Sequence, residues 1–237
     1  MSKITEVTGL LALIIIIYLT AVVGNFETTD EAQSNAVLSR SKIKIPVMNT
    51  TGKARLVNCS ITITPGTGKL LIDIKDSYVD DYTTQSSIKT ALIAAEKLTG
   101  VSMDDYDTII SFAADGATIK GSSLGAPLAV AIVAAIKNKE IDPTMTITGT
   151  IHLDGTIGRV SKILEKAKAS KEQGIETLLV PDGASVHTQY TEKKQCNDSG
   201  TTCTSSIEKK VTDISKEANI KLIETNNLGT AIVHMLR

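Results

Sequence analysis

Tryptophan is missing from this sequence, and only two Phe and five Tyr stand among its 237 residues. A packed core therefore has to come from Ile, Leu, Val and Ala. Those are plentiful: 42% of the residues are hydrophobic, in the ordinary globular range. Neither sign of charge is in excess, with 25 Lys and Arg against 26 Asp and Glu. That balance lacks the basic surplus of nucleic-acid binders, so nucleic acid is not an expected partner. The three Cys form no CxxC pair and no Cys/His ligand spacing, which argues against structural zinc; no metal site or other cofactor is expected. His152, His187 and His234 show no HExxH spacing, and nothing around them supports a Ser-His-Asp triad. No internal repeat is present.

A phosphate cradle is missing too. Pro65-Gly66-Thr67-Gly68-Lys69 has the look of a P-loop, but Ile63 stands where its first glycine belongs and Leu70 where a hydroxyl must follow the lysine. The segment also runs into a strand pattern, whereas a phosphate site opens a helix. It reads as a hairpin turn, and ATP is not an expected partner.

Among the features present, the uncharged run Val7 to Phe26 comes first. At 1.5 Å per residue it reaches about 30 Å, enough for a bilayer core. Lys3 precedes it and Glu27, Asp30 and Glu31 follow, an order that puts the remainder outside the cytoplasm. Residues 1–26 are read as a transmembrane anchor, with a secreted chain after signal cleavage as the alternative. Residues 27–42 read as a polar linker and 43–237 as one domain. Three sequons, at Asn49, Asn58 and Asn197, are candidate glycosylation sites. Cys196 and Cys203, in a polar loop-like stretch, have a spacing that suits a local disulfide in an oxidising compartment. Cys59 reads as a small buried strand residue.

Alternation predicts strands at Ile43–Ile45, Arg55–Thr64 and Lys69–Lys75. Three- and four-residue steps predict a helix over Ser86–Leu98, stopped at Gly100. A strand at Asp107–Ala113 follows, then a Gly-Ser-Ser-Leu-Gly turn and a helix over Ala126–Asn138. Further on come a strand over Thr144–Leu153, a helix over Ser161–Gln173, and a strand over Ile175–Val180. A helix over Ile207–Ala218, a strand over Ile220–Glu224 and a last helix from Leu228 complete the pattern. Strands first and alternation later describe an α+β, or mixed α/β, fold.

Two features carry chemistry. In Gly121-Ser122-Ser123-Leu124-Gly125, flanking glycines permit a tight bend, and the following helix aims free N–H groups and its positive end at the turn. Such a place suits a nucleophile and a developing oxyanion; it equally describes an ordinary helix start. Lys166 lies at the border of an apolar helix face beside Ile163 and Ser170. Partial burial would lower its pKa toward that of a base, while an edge lysine reaching for water reads the same way.

In their order these pieces resemble the proteolytic domain of the Lon proteases, peptidase family S16, particularly the archaeal membrane-associated branch. The nucleophile turn is similar to Gly121-Ser122-Ser123-Leu124-Gly125, the Met-Thr-Gly strand to Ile147-Thr148-Gly149, and the following turn to Asp154-Gly155-Thr156-Ile157. The lysine segment is similar to Ser161-Lys162-Ile163-Leu164-Glu165-Lys166, with Ser161-Lys162 in place of a glycine pair and 43 positions between Ser123 and Lys166. The resemblance covers Lys42 to Arg237. It implies a fold like ribosomal protein S5 domain 2, with Ser123 as nucleophile and Lys166 as base. Thr148, Gly121, Ser122, Gly125 and Gly149 are the implied supporting residues. No ATPase module is seen, so the expected activity is that of an ATP-independent serine endopeptidase. It would act outside the cytoplasm on flexible or unfolded protein or peptide substrates, as a candidate homo-oligomer. The alternatives are an inactive Lon-like binding module and an anchored structural domain.

Overall fold

The computed structural model of the chain describes residues 37–49, 51–75, 82–113, 121–196 and 203–237. The Val7–Phe26 run, most of the expected linker, and Asn197 lie outside them. Among the described residues no helix is long and apolar enough to cross a membrane.

Strands β1 (Ser39–Met48), β2 (Ala54–Pro65), β3 (Leu70–Lys75) and β4 (Tyr106–Ala113) form one sheet in the order β1-β2-β4-β3. β1 begins at Ser39, inside the expected linker, because its polar side chains find partners: the Ser41 hydroxyl donates to the Ala131 carbonyl at 2.6 Å and Arg40 Nε donates to Thr62 at 3.2 Å. The Pro65–Lys69 turn is not a hairpin. β2 runs antiparallel and β3 parallel to β4, which lies between them. Asp107, near the start of β4, accepts the N–H groups of Thr67 and Lys69 at 2.8 and 2.9 Å and so draws the turn across its strand. These two amides already hold a carboxylate, so this loop offers no phosphate cradle.

Helix α1 (Tyr82–Thr99) spans the crossover from β3 to β4, and α2 (Gly125–Ile136) follows a short 3-10 turn at Ser122–Leu124. Residues 125–135 of α2 are all buried, which its Ala-rich, uncharged sequence permits. Ile88, Ala91 and Ala95 of α1 join Ile45, Ile61 and Ile110 of the sheet in the larger core around it.

β5 (Met145–Ile147), β8 (Thr177–Pro181) and β11 (Lys221–Thr225) make a parallel sheet with β8 central. The expected strand over Thr144–Leu153 is broken. Between β5 and β6 (Thr150–Ile151), which pairs with β7 (Ile157–Gly158), the Thr148–Gly149 step leaves the ladder. Helix α3 (Ile163–Glu172) packs Ile163 and Ala167 against Leu56, Leu178 and Val180 in a second core, joined by Ile214 of α4 (Ile214–Ala218). Helix α5 (Leu228–Met235) returns to the larger core through Leu228, Ala231 and Met235.

Of the expected helix over 207–218 only Ile214–Ala218 is helical; residues 207–213, and the described ends of the expected loop over 195–206, belong to a ribbon. β9 (Val186–Cys196) and β10 (Cys203–Asp213) pair antiparallel over eleven residues, and a Cys196–Cys203 disulfide closes the end. Ile207, Val211, Ile214 and Ala218 recur at helical steps, which imitates an amphipathic helix. Only the last two are buried.

Candidate functional site

The Gly-Ser-Ser-Leu-Gly turn starts from Gly121 at φ 97°, a left-handed backbone that favours glycine. Its N–H donates to the Thr84 hydroxyl of α1 at 2.8 Å, which fixes the entry to the turn. Ser122 and Ser123 are half-buried and Leu124 is in the core. Gly125 opens α2 where there is no room for a side chain: an added Cβ would lie 2.9 Å from the Ile151 nitrogen and 2.7 Å from its Cγ2.

The Thr148–Gly149 step faces this turn. Gly149 N–H points at the Ser123 carbonyl at 3.5 Å, and the Gly149 carbonyl accepts the Ala126 N–H at 3.0 Å. An added Cβ at Gly149 would come within 2.6 Å of Ile157. Thr148 is anchored to the second sheet through its N–H to the Leu179 carbonyl at 3.0 Å. Its hydroxyl accepts a hydrogen bond from Lys166 Nζ at 3.1 Å.

Lys166 is 2% exposed. Burial drives its ammonium down from 10.5 to about 8, against a weaker opposing pull from Glu165. No ion pair to Lys166 forms among the described residues. Ser123 and Lys166 thus flank one dipeptide, Thr148–Gly149: Gly149 touches the serine backbone and Thr148 holds the amine. In this geometry the amine rests on Thr148, and a hydroxyl brought to it could give up a proton, since catalytic hydrogen bonds of a resting site often tighten only with substrate bound. At the start of α2 the Gly125 N–H donates to the Ser122 carbonyl and the Ala126 N–H to the Gly149 carbonyl, and Pro127 has none, so the expected free N–H groups of this helix start are already engaged.

The other candidates lie apart. Asn49 Oδ1 closes the turn after β1, accepting from the N–H groups of Thr51 and Lys53 at 3.1 and 2.8 Å. Asn58 is exposed on β2. Cys59 is buried, which pushes its thiol well above the ordinary range. His152 in the turn after β6, His187 on β9 and His234 on α5 are all exposed. Among the described residues no three His, Cys, Asp or Glu side chains converge as a metal site would need. Sequence reasoning missed Thr84, because nothing local marks one threonine of a polar helix start as the partner of Gly121.

A mixed α/β domain with a serine turn and a buried lysine is one setting; similarity to known proteins is another, and it points to the Lon proteases as relatives. Residues 79–184 match the family model described as subunit ChlI of Mg-chelatase. Lon protease 2 of Bacillus subtilis is 35% identical over 82 residues, 35% of this chain and 15% of that protein. The mitochondrial Lon protease homolog of Saccharomyces cerevisiae is 40% identical over 68 residues, 28% of this chain and 6% of that protein. The archaeal Lon protease of Thermoplasma acidophilum is 29% identical over 87 residues, 37% of this chain and 13% of that protein. The matched stretches therefore span at most 15% of these relatives' lengths.

These matches correct the expectation of an ATP-independent endopeptidase with no ATP among its partners. The matching model is that of a chelatase subunit rather than a free-standing peptidase, and the Lon relatives share only a small part of far longer proteins. Similarity of this kind points to a protein type that includes an ATP-binding module. The Pro65–Lys69 loop does not supply one, since Asp107 occupies its amides.

Proposed function

We propose that this chain supplies Ser–Lys acyl-transfer chemistry on peptide bonds within a Lon-type system coupled to an ATP-binding module. The observation that carries the proposal is Lys166: an amine removed from water, brought down to about 8, and held by Thr148 one residue from the contact with Ser123. In the proposed sequence neutral Lys166 takes the Ser123 proton as the hydroxyl oxygen attacks the carbonyl carbon. Backbone amides of the serine turn itself hold the oxyanion. The lysine then returns the proton to the leaving nitrogen, the C–N bond breaks, and water releases the acyl group. Thr148 positions the amine, and Gly121, Ser122, Gly125 and Gly149 shape the turn.

The test uses a fluorophosphonate probe, which reacts only with an activated serine. Labelling is expected at Ser123, absent in Ser123→Ala, and reduced at least about a hundredfold in Lys166→Met. Labelling at a different serine, or undiminished labelling of the methionine variant, rules the dyad out.

A further inference from the structure

Side chains alternate across a strand. Since Ser41, Ile43 and Ile45 of β1 are buried, Arg40, Lys42 and Lys44 share its outer face, with neighbours about 6.8 Å apart. Their cross-strand partners on β2 are Thr62, Ser60 and Asn58, all neutral and polar. These residues line a groove of about 740 Å³ on the outer side of the four-stranded sheet.

None of the three cations takes part in an ion pair among the described residues. Arg40 and Lys44 donate to neutral oxygens, Thr62 Oγ1 and the Gln173 carbonyl, each at 3.2 Å. Two acids line the groove, and neither neutralises the row. Asp142 is held by Thr144 and Arg237, and hydrogen bonds from them keep its carboxyl down to about 2. Asp73 stands three strands away along the register Lys42–Ser60–Ser111–Asp73, about 14 Å at ordinary strand spacing. In a chain of net charge −1, three like charges are therefore lined up over a neutral hydrogen-bonding floor. Like charges so placed repel each other unless an anion lies across them.

We propose that this groove binds an extended acidic polypeptide segment, with carboxylates at alternate residues meeting Arg40, Lys42 and Lys44. The repeat of an extended chain equals the repeat of the cation row, both about 6.8 Å, and Ser60 and Asn58 can hydrogen-bond what lies between. A single nucleotide's phosphates are too closely spaced to span a row about 13 Å long. Single-stranded nucleic acid would call for exposed aromatic platforms. The one aromatic lining residue is Phe112, which is 2% exposed. At one end of the row Lys44 donates to the Gln173 carbonyl, about two helical turns from Lys166 along α3.

The proposal does not rest on the Ser–Lys reading, and its test keeps the two apart. Fluorescence anisotropy of the full chain is measured with labelled Glu-Thr-Glu-Thr-Glu-Thr-Glu, with a Gln-for-Glu version of that peptide, with labelled oligothymidylate and with labelled ATP. Saturable binding of the Glu peptide, weakening with salt, is expected, with at least about tenfold loss when Arg40, Lys42 and Lys44 are all changed to Gln. The Ser123→Ala protein should bind as wild type does. Lys42→Glu, at an exposed side chain with no hydrogen bond among the described residues, guards against misfolding of the triple variant and should weaken binding about threefold or more. Equal binding of the Glu and Gln peptides overturns the proposal. So does Lys42→Glu binding like wild type, or binding of oligothymidylate or ATP without the Glu peptide.

Discussion

At the scale of single residues, a buried amine leaves a signature in both rate and stability. Lys166 passes from 10.5 in the open chain to about 8 in the fold. Below 8 both states hold the proton, and the folded state bears the full cost of burying it. Between 8 and 10.5 only the unfolded chain keeps it, so stability rises with pH across that window. The difference corresponds to about 3 kcal/mol. Lys166→Met is therefore expected to be about 1–3 kcal/mol more stable than wild type at pH 7, with the gain gone above pH 10.5. Urea denaturation at both pH values checks this; a destabilised variant at pH 7 would contradict it. Any hydrolysis by the wild type should rise along a single limb centred near pH 8, where the base becomes neutral. A second residue departs from local preference. Lys162 precedes α3 at φ 61°, in the left-handed region, at the place where the resemblance has a glycine pair. Lys162→Gly should stabilise the domain by about 0.5–1 kcal/mol, since relief of that backbone outweighs the added freedom of the unfolded chain. Its exposed contact with Glu165 at 3.4 Å adds little. Motif order singled out Ser123 and Lys166 as candidates, and the fold sets both beside Thr148–Gly149. The burial of Lys166 was not legible, because its helix has lysines on several sides and only tertiary packing decides which of them loses water.

At the scale of elements, buried segments were legible and exposed ones were not. The all-buried α2 and the alternating β2 announce themselves by composition and period. The β9–β10 ribbon does not: all of its residues but one are exposed, so no burial pattern marks it as strand. Pairing places Val186, Tyr190, Ile207 and Val211 on one side and only polar residues on the other. A two-stranded ribbon without a covering layer is marginal in water. Changing Cys196 and Cys203 to Ser should therefore fray it, speeding amide exchange from Val186 to Asp213 while the melting temperature of the rest moves by no more than about 2 °C. A coincident loss of protection in α2 would show instead that the ribbon supports the core. Nor could the Pro65–Lys69 turn be read as a step over β4, because the residue that draws it there, Asp107, lies 40 positions along the chain from Thr67.

At the scale of the whole domain, the two halves of the candidate site belong to different cores. Leu124 and Ala126, beside Ser123, pack in the larger cluster; Ile163 and Ala167, beside Lys166, pack in the smaller one with Leu178 and Ile214. The Thr148–Gly149 step joins them at the site. Weakening the smaller core by Ile175→Ala, a residue 1% exposed, should cost about 2–4 kcal/mol. Probe labelling of Ser123 in this variant should vanish at lower urea than the helical circular dichroism does. Loss of both at one urea concentration would mean a single cooperative unit.

The seam between the two sheets has one more effect. The Thr146 hydroxyl of β5 donates to the Lys44 carbonyl of β1 at 2.5 Å, so an edge strand of one sheet touches an edge strand of the other at that point. On the opposite rim β3 pairs with β4 alone among the described residues and shows Leu71 and Ile72 to solvent. Should crowded or heated molecules begin to polymerise, strand-to-strand growth would start from that edge strand.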